Sequence, residues 1–104
     1  MSFIEALRES VDDALSVLGE EAKQAIYSHL RKKYGLTQHE IPYRIDEFSE
    51  AIEILFGTAA KIIQTLIMKE LYQRIKKPIQ ILGNSTNLKF GSYIESARVA
   101  NLTA

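Results

Sequence analysis

The groups best equipped for chemistry in this chain are two histidines, a Glu70–Arg74 pair and two clusters of cations. His29 and His39 stand ten residues apart with Gly35 between them. Neither belongs to a His-x-x-x-His or Glu-x-x-His spacing, which would set two ligands on one helix face, so a zinc or di-iron site has no nucleus. Both read as surface or half-buried side chains. The glycines form no phosphate-binding loop, no Gly-x-Ser-x-Gly elbow occurs, and no serine has an evident base beside it. The sequence predicts no catalytic residue, no metal ligand and no cofactor, and the chain is expected not to be an enzyme.

Glu70 lies on the same helical face as Ala59, Ile63 and Leu66, with Arg74 one turn further along. A buried acid there would have a raised pKa and could serve a ligand. The apolar stripe is already moving away at Glu70, so an exposed i,i+4 ion pair is the expected outcome. A small-molecule sensor would need a pocket of roughly 300 Å³ or more beside this helix.

The cations Arg31, Lys32 and Lys33, and Arg74 with Lys76 and Lys77, each end a predicted helix whose dipole favours them. The alternative is DNA binding through a degenerate helix-turn-helix around residues 30–56, because Gly35-Leu36-Thr37-Gln38 through Glu40-Ile41 resembles the opening of such a motif's middle helix. Pro42 interrupts it, and the segment that follows, Asp46 to Glu50, is acidic and unsuited to phosphate. Nucleic acid is thus the less favoured partner.

The elements that position these groups are all helices. At 104 residues the chain is expected to form one domain (1–104), with core helices over 1–77 and a tail over 78–104. Lys plus Arg equals Asp plus Glu at 13 each, so no net field draws in nucleic acid or anionic lipid. There is no cysteine, no basic leader precedes an apolar run, and no run approaches the roughly 20 residues of a membrane span. The expected location is cytoplasmic.

Helix 1 is predicted from Ser2, as cap, to Leu18, with Phe3, Ile4, Leu7, Val11, Ala14, Leu15 and Leu18 as its inward stripe. Gly19 should close it in a left-handed conformation. Helix 2 is predicted over Glu20–Tyr34, acidic at its start and basic at its end, with Ala22, Ala25, Ile26, Leu30 and Tyr34 inward and Gly35 closing it. Pro42 should confine the next connection to one short turn and push Ile41 out of helical geometry. Asp46 should cap helix 3 (Glu47–Phe56), which buries Phe48, Ile52, Leu55 and Phe56; Gly57 should end it, and Thr58 should cap helix 4.

Helix 4, Thr58 to Lys76, is the predicted centre. Ala59, Ile62, Ile63, Leu66 and Ile67 share one face, while Met68, Leu71, Tyr72 and Ile75 fall on another, so its neighbours must change along its length. Leu18-Gly19 and Phe56-Gly57 echo one another, each followed three residues later by Ala-Lys. The echo suggests two stacked helical hairpins with Gly19, Gly35, Gly57 and Pro42 as corners. The expected fold is therefore an all-α, four- to five-helix bundle around helix 4. After Pro78 the pattern weakens: Ser92 could cap a short fifth helix carrying Tyr93, Ile94 and Ala97, with Leu88 to Phe90 extended.

The combination VLGEEAKQAIYSHLRKKYGL, EIP and DEFSEAIEILFGTAAKIIQTLIMKELYQRI resembles the Nitrosopumilus-type output domain family of small archaeal helical domains. The likeness covers about Leu7 to Ile75 and rests on Leu18-Gly19, Tyr34-Gly35, Ile41-Pro42 and Phe56-Gly57. It implies an archaeal origin and a signalling output or adaptor role, and it carries no catalytic residue across. The leading expectation is a non-catalytic protein-interaction module, a homodimer or the partner of another protein. Its expected interface is the apolar tail: Ile79, Ile81, Leu82, Phe90 and Tyr93.

Overall fold

Ser2 opens the first helix as its spacing predicts, its Oγ accepting a hydrogen bond from the Glu5 amide at 3.1 Å. The computed structural model describes residues 2–76 and 90–102. α1 runs over Phe3–Ser16. It stops short of Leu18, and both Val17 and Leu18 are exposed. Gly19 does have positive φ, but at φ 102° and ψ 151° it is not the left-handed helical cap expected. It instead opens the next helix, its carbonyl accepting the Lys23 amide at 3.0 Å.

α2 occupies Glu20–Tyr34, as predicted. Gly35 closes it at φ 61° and ψ 27°, and the Leu36 amide reaches back to the Leu30 carbonyl at 3.2 Å. This is the geometry in which a left-handed glycine and a following apolar residue satisfy the last carbonyls together. Leu36 is accordingly buried. One expectation fails on this helix: Ala25, expected inside, is exposed, and Lys23 is buried in its stead.

Pro42 limits the connection to a 3₁₀ turn over Ile41–Tyr43, yet Ile41 belongs to that turn and is not excluded from it. α3 spans Ile45–Phe56, so Asp46 sits in its first turn and does not cap it. Gly57 ends α3 at φ 58° and ψ −130°, a conformation closed to residues with a Cβ. Gly19 and Gly57 thus share a sign of φ but differ widely in ψ, so the two echoing corners are different turns. Thr58 falls inside a second 3₁₀ turn, Gly57–Ala59, and does not cap α4, which runs over Ala60–Ile75.

The four helices form two hairpins, α1–α2 and α3–α4, stacked by packing of α1 along α4. α5, Phe90–Leu102, lies against α3 and α4. It begins earlier than predicted, with Phe90 helical and not extended, and Ile94 and Ala97 buried. α4 is therefore enclosed by α1, α3 and α5, and buries Ile63, Ile67, Leu71 and Tyr72. Its remaining side, marked by Lys61, Ile62, Thr65, Lys69 and Gln73, faces outward. The result is an all-α bundle around its fourth helix.

The stretch Ile45–Ile75 is long enough, with an 18-residue window of mean hydropathy 1.5, to cross a membrane by length and composition. Glu53 and Lys61 divide it, so it contains no long unbroken apolar run. The fold bends it. In a straight helix Ser49 and Gln64, 15 residues apart, would be separated by about 22 Å. Here the Gln64 Nε2 donates to Ser49 Oγ at 3.0 Å, across the α3–α4 hairpin. Only 33% of that window is buried, low for a core hairpin.

Candidate functional site

The predicted Glu70–Arg74 ion pair forms, with Arg74 Nη1 2.9 Å from Glu70 Oε2. Arg74 also pairs through Nη2 with the Asp13 carboxylate, a partner 61 residues away that no local spacing discloses. The two acids compensate the one cation and fasten the end of α4 to α1. A cleft of about 320 Å³ adjoins this pair, lined by Arg8, Glu9, Asp12, Asp13, Gln38 and Arg74. Its walls are charged and its ion pairs close on one another, so it lacks the apolar lining that ordinarily buries a small ligand.

Asp12 is a second hub. Its carboxylate accepts from Lys23 Nζ at 3.2 Å and from the Tyr27 hydroxyl at 3.0 Å. Lys23 Nζ also lies 3.1 Å from Glu20 Oε2 and donates to Ser16 Oγ at 3.1 Å. These contacts explain the buried lysine: the hydrogen bond to Glu20, followed by that to Asp12, outweighs burial and holds the ammonium above its ordinary pKa.

Tyr27 is pushed well above the ordinary phenol value of 10.0, first by burial and then by its hydrogen bond to Asp12. A group whose folded pKa is raised keeps its stabilising contribution below the unfolded pKa, and loses it as pH climbs from there towards the folded value. Stability should therefore fall as pH rises above about 10. In a Tyr27→Phe variant that alkaline loss should shrink, as read by urea midpoints across pH 8–11. An unchanged alkaline slope would refute the assignment.

The remaining candidates sit apart. His29 packs edge-on to Tyr34 with ring centroids 6.1 Å apart, and His39 is exposed. No group of three or more His, Asp or Glu side chains among the described residues is placed to hold a metal. Arg31, Lys32 and Lys33 are exposed on the last turn of α2, with Lys33 Nζ 5.8 Å from the centre of the Tyr34 ring. Gly19, Gly35 and Gly57 are corners with positive φ, and Pro42 is buried in its turn. Of the expected apolar interface, Phe90 is buried and Tyr93 half-buried, its carbonyl accepting from the Tyr72 hydroxyl at 3.3 Å. Phe90 is thus taken up by the domain's own core. Ile79, Ile81, Leu82, Pro78 and Lys77 lie outside the described residues.

Val17, Leu18, Tyr43, Val99 and Leu102 are exposed apolar side chains, and so is a group of three that the sequence does not single out. Ile54 and Leu55, on the last turn of α3, are 69% and 39% exposed, and Ile62, on the first turn of α4, is 65% exposed. Leu55 was expected inside with Phe48 and Ile52. Together these three side chains flank the Gly57–Ala59 turn. The helices leading away from it differ in charge. The outer side of α3 exposes Asp46, Glu47, Glu50 and Glu53, and that of α4 exposes Lys61 and Lys69. Among the described residues Glu50, Lys61 and Lys69 enter no ion pair. A surface with an apolar tip, one acidic edge and one basic edge is suited to holding another protein surface.

Comparison of the chain with protein-family models, curated proteins and solved structures finds no match.

Proposed function

We propose that this domain is a non-catalytic protein-interaction module that self-associates, and that it serves as an output or adaptor domain in signalling, the role its family resemblance implies. The observation that carries the reading is the exposure of Ile54, Leu55 and Ile62 around one corner of the bundle. Apolar surface grouped in this way is generally covered by a partner. A fully buried Ile or Leu side chain contributes about 1.5–3 kcal/mol, and association costs about 4–15 kcal/mol. Six such side chains in a dimer contribute about 9–18 kcal/mol, of the same order as that cost, so the association is a weak, concentration-dependent one. The equal numbers of cations and anions leave no net repulsion between copies.

Sedimentation velocity over about 1–500 µM tests this reading. The natural chain should show a concentration-dependent dimer, and the Ile54→Lys/Ile62→Lys variant should remain monomeric at the top of that range. A natural chain that stays monomeric throughout would overturn the proposal.

A further inference from the structure

We infer that two copies associate by exchanging α5, each α5 seating on α3 and α4 of the other chain. The exchange rests on the proposed self-association and specifies how the two chains hold one another. The fit of one glycine carries it. Gly91, in the first turn of α5, lies so close to Asp46 of α3 that a Cβ at that position would collide with Asp46 Oδ1. A glycine weakens a helix relative to alanine, and α1, α2, α3 and α4 contain none. Among the helices of this chain, the seat therefore admits α5 alone. Phe90, Ile94 and Ala97 fill its apolar part, and the Tyr93 carbonyl accepts from the Tyr72 hydroxyl of α4 at 3.3 Å. A partner of another sequence would have to reproduce phenylalanine, glycine, isoleucine and alanine in the same register. A second copy carries them by identity.

The same seat holds α5 by little. Its Glu95–Arg98 ion pair is internal, and among the described residues no ion pair joins α5 to another helix. A helix docked through three buried side chains belongs to the part of a fold that opens first, while the α1–α2 and α3–α4 hairpins stack on each other through α1 and α4. A released α5 finds identical contacts on a second copy, which is why exchange of an element is a low-cost route to a dimer. Exchange by itself adds no contact. The gain comes from surface that the two chains newly share, and Ile54, Leu55 and Ile62 are exposed on the same α3–α4 hairpin that receives α5. Residues 77–89 separate α4 from α5, a length of chain that covers at most about 45 Å, enough to reach a neighbouring seat.

Cross-linking between chains tests the exchange, since the chain has no cysteine of its own. Asp46 Cγ lies 3.2 Å from the Cβ position at residue 91, which sets thiols at these two positions within reach of the roughly 3.5–4.5 Å between Cβ atoms that a disulfide needs. Asp46→Cys on one chain and Gly91→Cys on another bring the thiols together only where α5 crosses. An equimolar mixture, incubated at the top of the concentration range in which the natural chain dimerises and then mildly oxidised, should yield covalent heterodimer at least about tenfold over either homodimer, because like positions do not face each other. Heterodimer at no more than the level of the homodimers, from variants that still sediment as reversible dimers when reduced, would overturn the exchange and leave self-association standing. The double variant Asp46→Cys/Gly91→Cys gives a second reading. Its covalent dimer fraction on a non-reducing gel should rise with concentration, whereas internally closed monomer at every concentration, in a chain whose reduced form dimerises, would overturn the exchange. If the natural chain is monomeric throughout, the proposed function falls first, and the exchange with it.

Discussion

Phe48→Ala should reduce the unfolding free energy by about 3–5 kcal/mol, because it empties a fully buried aromatic site in the wall between α3 and its neighbours. The loss combines the transfer free energy of the ring with the cavity it leaves, since a ring of helices relaxes only in part around a void. Ile54→Ala, six residues on in the same helix, should cost no more than about 0.5 kcal/mol, because Ile54 already faces solvent. Urea titrations at a protein concentration below the proposed dimer range compare the two. Equal losses would mean that the inner and outer sides of α3 are misassigned, and the docking surface with them.

Gln64→Leu carries the second large effect. Gln64 lies 9% exposed, donating to Ser49 Oγ at 3.0 Å and to Glu53 Oε1 at 3.4 Å. Replacing the amide with an isobutyl group of similar size keeps the packing but leaves the buried Ser49 hydroxyl without its partner. The expected cost is about 1–3 kcal/mol. Replacing Ser49 with Ala in the same chain removes the stranded group, and the double variant should recover most of the loss. A double-mutant cycle measures this coupling directly. Additive losses would show that the pair does not join the two helices.

Some of this architecture was legible because its causes are local. α2 has the predicted bounds because its acidic start, basic end and closing glycine all act within a few residues. α3 was misread because its start has a non-local cause. Arg44, the residue before it, donates to the carbonyls of Tyr34 and Gly35 and to the carboxylates of Glu40 and Glu47. No capping rule ranks arginine, whereas Asp46 carries a local capping signal. Lys23 and Ala25 exchanged sides for a related reason. An apolar stripe orders side chains by hydropathy alone, whereas Glu20, Asp12 and Ser16 together make a buried ammonium acceptable.

The candidate surface was legible only in composition. The sequence shows surplus apolar residues, but the stripes of α3 and α4 do not say which residues α5 covers. Seating α5 on α3 and α4 consumes Phe90 and leaves Ile54 and Ile62 outside.

The tie between Asp13 and Arg74 also sets a timetable for the chain as it is made. The two residues are separated by 61 positions, and translation adds roughly 5–20 residues each second. The apolar side of α1 therefore waits about 3–12 s for the helix that will cover it. During that interval α2 is its nearest cover, and a nascent chain stalled before Arg74 should present Leu7 and Val11 to chaperones.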